Sequence, residues 1–389
     1  MTPLHPAVLT VYGSALLQGL TLVSFPALSG ILKSQLGLDD AQYGAIFLPQ
    51  VACAVAGSLL GGALAARLGL QRLLLLSLLA NALSQGLLAV SADWGGYPLL
   101  LAGTAALGLG FGLGASALNG YPPRFFPARQ ASALVVLHTL MGLGLAAGPL
   151  LSGSFADAGR WQGYPLMLLA ACLTMGLGLL LQRLPGAETG EQHSQGGHPG
   201  TAPAFWVFAL VAVLYAFAEG TFANWAVLYL AESKGLPGSV AAWALSAFWA
   251  ALALGRLVVS VLVLRLAPVR IWQALPLGML AVFLALPQAD SAWSGIALFA
   301  AAGLACSGFF PLTIGLAGER FPRHVPWVAS MLTAALMVGV GLGSWAVGLL
   351  REALPLETLY RYSAGYPLAA LLAALWLGRS RVGKSDNAA

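Results

Sequence analysis

The chain has 389 residues, of which 59% are hydrophobic and only 8% charged, whereas soluble domains run near ~25% charged. Several uncharged runs exceed the ~20 residues an α-helix needs to cross a bilayer, so the chain reads as a polytopic membrane protein rather than a soluble one. A net charge of +5 does not mark a nucleic-acid binder, because the basic residues sit in pairs between apolar runs, as topology signals do.

At the start, MTPLHPAV lacks the basic region and cleavage site of a signal peptide, so the first apolar run reads as a retained helix. Twelve spans are predicted in chain order. Six lie at 7–32, 41–66, 71–91, 97–121, 129–153 and 163–183. Six more lie at 205–231, 239–265, 270–288, 293–317, 325–350 and 358–378. Between the two groups stands PGAETGEQHSQGGHPGTAP, whose Gly, Gln, Ser and His content cannot build a core. It is predicted as a linker (185–203) joining a six-helix bundle at 1–184 to a second at 204–389 that ends in a short tail. The expected fold is all-α and integral to the membrane, with two pseudo-symmetric six-helix bundles.

The loops set an expected orientation. One set of connections, with the C-terminal tail, carries Arg67, Arg72, Arg124, Arg129, Arg183, Arg265, Arg270, Arg320, Arg323, Arg379, Arg381 and Lys384. The other carries Lys33, Arg160, Lys234, Arg351, Arg361 and most of the acids. The positive-inside rule then puts both termini and the linker in the cytoplasm, with the chain in the inner (plasma) membrane. The halves also echo each other. GGALAARLGLQRL (61–73) follows the second span and SVLVLRLAPVRIW (260–272) the eighth, each with a base at the membrane exit and another shortly after. Parallel six-helix repeats of this kind build many secondary transporters.

The loop after the second span resembles the signature of the major facilitator superfamily: a glycine, three residues, an acid, a base, then a glycine and a basic pair. Gly62, Arg67, Gly69 and Arg72 match it, while Ala66 replaces the acid and Gln71 one base, which leaves the family's charge relay incomplete. Three further segments resemble fucose-permease-like sugar/proton symporters. AEGTFANWAVLYL (218–230) is similar to that group's seventh helix, FWAALALGRLVVS (248–260) to its eighth, and ASALVVLHTLMGLGLAAGPLLSG (131–153) to its fifth. The resemblance implies a central cavity between two rocking bundles and sugar/proton symport. Proton-linked members carry acids in helices one and four; Gln18 and Ala115 stand at those places here, although Asn119 is retained.

Two charged side chains fall deep within the predicted spans, Glu219 and Arg256. A charge at such depth costs roughly 2.5–3.5 kcal/mol on insertion scales and marks a functional group by default. At 1.5 Å per residue, Glu219 is expected about 21 Å and Arg256 about 14 Å from the cytoplasmic helix ends. Either they form a buried ion pair that fixes packing, which is a costly way to gain stability, or they face a cavity. In the cavity reading Glu219 exchanges a proton and Arg256 holds the substrate or tunes the carboxyl. A desolvated carboxyl favours its protonated form, and Gly220 beside it would let the helix bend. His138 reads equally as a core imidazole and as a substrate contact.

Amides occur at Gln18, Gln50, Asn81, Gln85, Asn119 and Asn224, and each can serve as interhelical glue. Gln18 and Asn119, expected near the middle of the helices that resemble the family's cavity liners, are favoured as substrate contacts; Asn81 and Gln85 are read as glue. Trp225 and Trp249 are midspan aromatics that suit either the CH face of a sugar or an amphipathic drug. The glycine runs GLGFGLG (108–114) and GVGLG (339–343) lack a preceding strand and a phosphate-loop lysine, and so read as helix packing. Cys53, Cys172 and Cys306 read as small packing residues, indicating neither disulfides nor a metal.

The candidate substrate site is therefore Gln18, Asn119, His138, Glu219, Asn224, Trp225, Trp249 and Arg256. Glu219 is the proton-coupling group, and Gly62, Arg67, Gly69 and Arg72 form the conformational loop. The expected activity is proton-coupled transport of a sugar or similar polar solute, with amphipathic export or uncoupled facilitation as alternatives. A small solute, protons and the lipid bilayer are the expected partners of a monomeric chain that needs no cofactor. No catalytic triad, metal spacing or phosphate loop points to an enzyme.

Overall fold

The computed structural model describes residues 6–182, 184, 200 and 202–385. Most of the predicted linker, together with Arg183 and the first five residues, lies outside them.

The first crossing is broken into three pieces, α1 (Pro6–Leu22), α2 (Ser24–Ala27) and α3 (Ser29–Leu36). Pro26 lacks the N–H that would continue the ladder through α2, so the span bends there rather than running straight. Gly37, left-handed at φ +62°, ends α3. Asp39 then starts α4 (Asp40–Ala45) with a capping box in which its carboxylate accepts from the Gln42 N–H. The second crossing continues as α5 (Phe47–Leu68) and stops at Gly69, whose φ of +81° explains why this loop position is a glycine. There follow α6 (Leu70–Trp94), α7 (Gly96–Gly120), the short α8 (Pro122–Phe125), α9 (Gln130–Asp157) and α10 (Gly163–Leu180).

The second half opens with α11 (Pro203–Asn224), which has a proline at its first position. It breaks at Trp225 into α12 (Ala226–Leu228) and a wide turn at Tyr229–Ser233. Next come α13 (Gly238–Leu262), α14 (Pro268–Ala285) and α15 (Ala292–Cys306). The chain then runs through α16 (Phe309–Arg320), α17 (Val325–Arg351), α18 (Leu356–Ser363) and α19 (Gly365–Ser385). Among the described residues ten spans are long and apolar enough to cross a membrane. With the segmented first crossing and α19 they make the expected twelve.

The halves repeat one packing scheme. In the first, a Cβ on Gly108 of α7 would strike the Gln50 carbonyl of α5, and Gly19 and Gly144 bring α1 against α9. In the second, Gly303 of α15 sits against the Phe248 carbonyl of α13, and Gly339 of α17 against Val213 and Ala216 of α11. Second-on-fourth and first-on-fifth contacts thus depend on glycine in both halves, because close backbone approach drives association where lipid is as apolar as leucine.

Two seams join the halves, α4 and α5 against α17, and α9 against α13. Along the latter, Gly142 faces Ala253 and Gly153 faces Ala242, an antiparallel register that sets His138 opposite the turn bearing Arg256. The chain ends lie on what is called here the terminal side; the α3–α4 and α17–α18 connections lie on the far side.

Candidate functional site

On the far side, four charged side chains meet between the halves. Lys33 Nζ lies 2.6 Å from Asp40 and 2.7 Å from Glu232, and Arg351 lies 3.3 Å from Asp40 and 3.6 Å from Glu232. Lys33 and Asp40 come from the first half, Glu232 and Arg351 from the second, so the Lys33–Glu232 and Arg351–Asp40 bonds cross between halves. Just below, the Tyr43 hydroxyl donates to the Asn224 carbonyl at 2.7 Å, and Asn224 Nδ2 donates to Ser344 Oγ at 2.7 Å. Trp225 is fully buried with its ring 5.1 Å edge-on from Tyr43.

These contacts revise the expected roles of two residues. Asn224 and Trp225 do not present an open stacking face; they form the floor of the far-side closure. The break after Asn224 exists because its carbonyl is turned to Tyr43.

Deeper in, the fourth crossing of the second half is interrupted at Ser307–Gly308, between α15 and α16, where a continuous span was expected. Gly255 lies against the Ser307 side chain and Gly308 against Val259, so α13 wedges close to the interruption. Two carbonyls freed there are met by side chains. The Tyr215 hydroxyl donates to the Cys306 carbonyl at 3.1 Å, and Arg256 Nε to the Ser307 carbonyl at 3.4 Å. Tyr215 also stacks on Phe309, with centroids 5.4 Å apart. Such unwound backbone is tolerated at membrane depth only where protein groups or a water-filled cavity satisfy it.

Glu219 stands four residues beyond Tyr215, about 6 Å further along α11. It is half-buried, with Tyr215 and Arg256 as its electrostatic neighbours. Among the described residues no ion pair within 4.0 Å joins it to Arg256, so the buried pair weighed from the sequence is not formed. The axial gap is also wider than the roughly 7 Å expected. Glu219 is sixteen residues from the start of α11, about 24 Å, and Arg256 six from the end of α13, about 9 Å, with α11 starting earlier and α13 ending earlier than predicted. The long guanidinium nonetheless acts on both Glu219 and His138. His138 and Arg256 are exposed side chains, and Trp249 is half-buried against Phe248.

Gln18 and Asn119 are not brought to this centre. Gln18 is 3% exposed and its Oε1 accepts from Asn81 Nδ2 at 3.2 Å, inside the first bundle. Asn119 is exposed in the last turn of α7, donating to the Ala115 carbonyl at 2.8 Å, and so is not near mid-helix as expected. Asn81 and Gln85 tie α6 to α1 and α2, Gln85 through Ser24 at 3.1 Å.

The loop residues lie together on the terminal side. Gly62 and Arg67 are in the final turns of α5, Gly69 is the link, and Arg72 is in the first turn of α6. Gln71, at a position where the resemblance expects a base, donates to the carbonyls of Leu179 and Gln182, each at 2.7 Å, and so caps the end of α10. Arg72 and Gln71 border a cavity of about 440 Å³ beside Leu179.

Sequence reading missed the four-charge cluster, Tyr43 and the interruption at Ser307. Gly308 was the available signal for the last. Lys33, Glu232 and Arg351 were visible only as loop charges.

Two six-helix halves meeting along small-residue seams, with ionisable groups on the inner faces, are the architecture of a solute transporter. The chain belongs to the Major Facilitator Superfamily, whose pattern matches residues 11–288 and 208–389. It is 30% identical over 304 residues to the 3-(3-hydroxy-phenyl)propionate transporter of Escherichia coli (strain K12), covering 71% of this chain and 69% of that one. Among solved structures, a variant of the nucleoside transporter NupG superposes with a TM-score of 0.79 at 13% identity, covering 95% of this chain and 99% of that one. A D-xylose-proton symporter superposes with a TM-score of 0.73 at 14% identity, covering 96% of each. The chain is thus a multi-pass membrane transporter of small solutes and not an enzyme.

Proposed function

We propose that this transporter couples movement of a small polar solute to protons through Glu219, by alternating exposure of the seam to the two sides. The observation that supports this is the state of Glu219: a half-buried carboxyl, deep in α11, with no ion-pair partner within 4.0 Å among the described residues. The Tyr215 proton is committed to the Cys306 carbonyl. Tyr215 is also a neighbour of Glu219, and protonating the carboxyl turns it from an acceptor only into a donor, which changes the bond the two can make. Loading and unloading that proton changes what α11 can bind on its inner face, which is the differential interaction a coupled cycle requires.

The terminal side is proposed to be cytoplasmic, on the distribution of arginines, and the membrane to be the inner (plasma) membrane. Two rocking units, 1–184 and 204–389, are proposed to move about the glycine seams. A sugar is the solute class suggested by the fucose-permease resemblance and by Trp249; the name of the 30% identical relative adds an aromatic acid.

The test is uptake into proteoliposomes under an inward proton gradient, with a panel of sugars and aromatic acids, for the parent protein and Glu219→Gln. One solute should accumulate only with the gradient, and the variant should keep exchange of that solute while losing accumulation. Accumulation unchanged in the variant would remove Glu219 from the coupling step.

A further inference from the structure

Arg256 is an exposed cation on a membrane helix, six residues from the end of α13. Its one hydrogen bond among the described residues, through Nε to the Ser307 carbonyl, is long at 3.4 Å. Among the described residues no carboxylate lies within 4.0 Å of it. An arginine has five donors in a planar fork, and the bond to Ser307 fixes the Nε edge while leaving both terminal amino groups free. Such a fork costs free energy at this depth unless water or an anion meets it.

His138, on the other half, faces this position. The Gly142–Ala253 and Gly153–Ala242 contacts set the register of α9 against α13, and His138 is one turn from Gly142 just as Arg256 is from Ala253. The two side chains are exposed and in electrostatic contact, and among the described residues His138 has no hydrogen-bond partner. Two donor groups, one from each half, therefore face each other across the seam, and Glu219, an electrostatic neighbour of Arg256, forms no ion pair within 4.0 Å with it among the described residues. Trp249 lies seven residues before Arg256, about 10 Å up the same face of α13, and supplies an apolar surface.

We propose that Arg256 and His138 bind the carboxylate of a small organic acid, whose apolar body lies toward Trp249, and that the solute is an anion rather than a neutral sugar. The guanidinium takes the carboxylate through two parallel N–H···O bonds, and the imidazole donates one more from the opposite half. A neutral sugar offers hydroxyls that need acceptors as well as donors, and the fork offers donors only. Because the anion touches both halves, binding it draws α9 and α13 together, a step a ligand on one half alone cannot drive. This inference rests on the transport reading above and assigns its solute class.

The test uses purified full-length protein in detergent, with benzoate, butyrate and succinate set against benzamide, butyramide, succinamide and D-glucose, read by thermal shift and equilibrium binding. At least one acid should bind, with its amide about tenfold weaker or worse. Arg256→Gln should weaken that acid roughly 30-fold, the scale of a lost hydrogen bond to a charge. His138→Asn should weaken it about fivefold, because the shorter amide still offers an N–H donor in place of the imidazole. Arg256→Lys, which keeps the charge and loses the fork, should fall between and also shows whether loss in the Gln variant reflects misfolding. The proposal is overturned if no acid binds, if acid and amide bind alike, or if both the Arg256→Gln and His138→Asn variants bind as the parent does. Counterflow in proteoliposomes separates the two readings. Arg256-dependent binding without counterflow keeps the anion site and removes transport of that acid, whereas D-glucose counterflow without acid binding keeps transport and removes the anion site.

Discussion

Glu232→Gln removes one of two acids from a cluster that balances Lys33 and Arg351 against Asp40 and Glu232. What remains is two bases sharing Asp40, with an excess of one positive charge on the far side. Glu232 touches both bases, at 2.7 Å and 3.6 Å, and its side chain is 33% exposed. Only the bond to Lys33 crosses between the halves, and an exposed ion pair contributes about 0.2–1 kcal/mol, so its loss costs the closed state about that much. At 1.36 kcal/mol per tenfold, the closed-to-open ratio falls roughly 1.4- to 5-fold. Spin labels at Gln35 and Ala353, exposed on opposite halves, would read the far-side separation by pulsed electron spin resonance, with Cys53, Cys172 and Cys306 changed to serine. The variant should populate a longer distance, and about 1 M salt should shift the parent the same way, because the Debye length then falls to about 3 Å. Lys33→Gln combined with Glu232→Gln should shift less than the sum of the two, since they share a bond. A distance distribution unchanged in Glu232→Gln would show that the seams alone close the far side.

Three further perturbations follow from packing. Tyr43→Phe deletes the bond to the Asn224 carbonyl and should cost about 1 kcal/mol of thermal stability in detergent, more than a surface change would. Trp225→Ala, at a fully buried ring, should cost about 3–5 kcal/mol and open the far side in the same spin-label assay. Gly108→Ala should force α7 away from the Gln50 carbonyl and lower the melting temperature by an amount matching roughly 1–3 kcal/mol; an unchanged melting temperature would show that these helices are free to separate. Finally, two polypeptides divided within 185–203 should reassemble into a protein that binds solute, which tests the proposed units.

The crossings were legible because lipid imposes uniform hydrophobicity on every span, and the glycine runs because nothing else lets helices approach so closely. The interruptions were not. Ser307–Gly308 and Asn224–Trp225 sit inside runs as apolar as their neighbours, and they break because of partners remote in sequence, Tyr215 and Arg256 for the first and Tyr43 for the second. Glu219 and Arg256 were visible as charges out of place. Whether they paired depended on helix ends that hydropathy locates only to within a few residues, enough to change their relative depth by a full turn or more. Gln18 and Asn119 resembled site residues by alignment with a family helix, yet side-chain direction and depth placed one in the bundle interior and the other at a helix end. Depth along a helix is readable from a sequence, but the face a side chain occupies depends on its neighbours.

The gate and the centre share one element. α11 carries Glu219 on its inner face, Gly220 against Val340 and Ser344 of α17, and Asn224 five residues on, bonded to Tyr43 of the first half and to Ser344. Ser344 therefore touches α11 at two levels, beside Gly220 and at Asn224. Any shift of α11 that improves contact between Glu219 and a proton or solute must move Asn224 relative to both Ser344 and Tyr43. The Tyr43 bond is directional and the Trp225 ring is sealed, so that end has few intermediate positions: it is seated or it is released. Coupling needs an element with two arrangements that both sites bias, and in the proposed cycle that element is α11, over a span of about 8 Å between Glu219 and Asn224. On this argument Asn224→Ala, which keeps the Tyr43 bond but loses Ser344, should leave solute affinity near the parent value while weakening the effect of solute on the far-side distance. Affinity and gating lost together would mean that Asn224 holds the binding centre itself, and that the two ends of α11 do not act as separate stations.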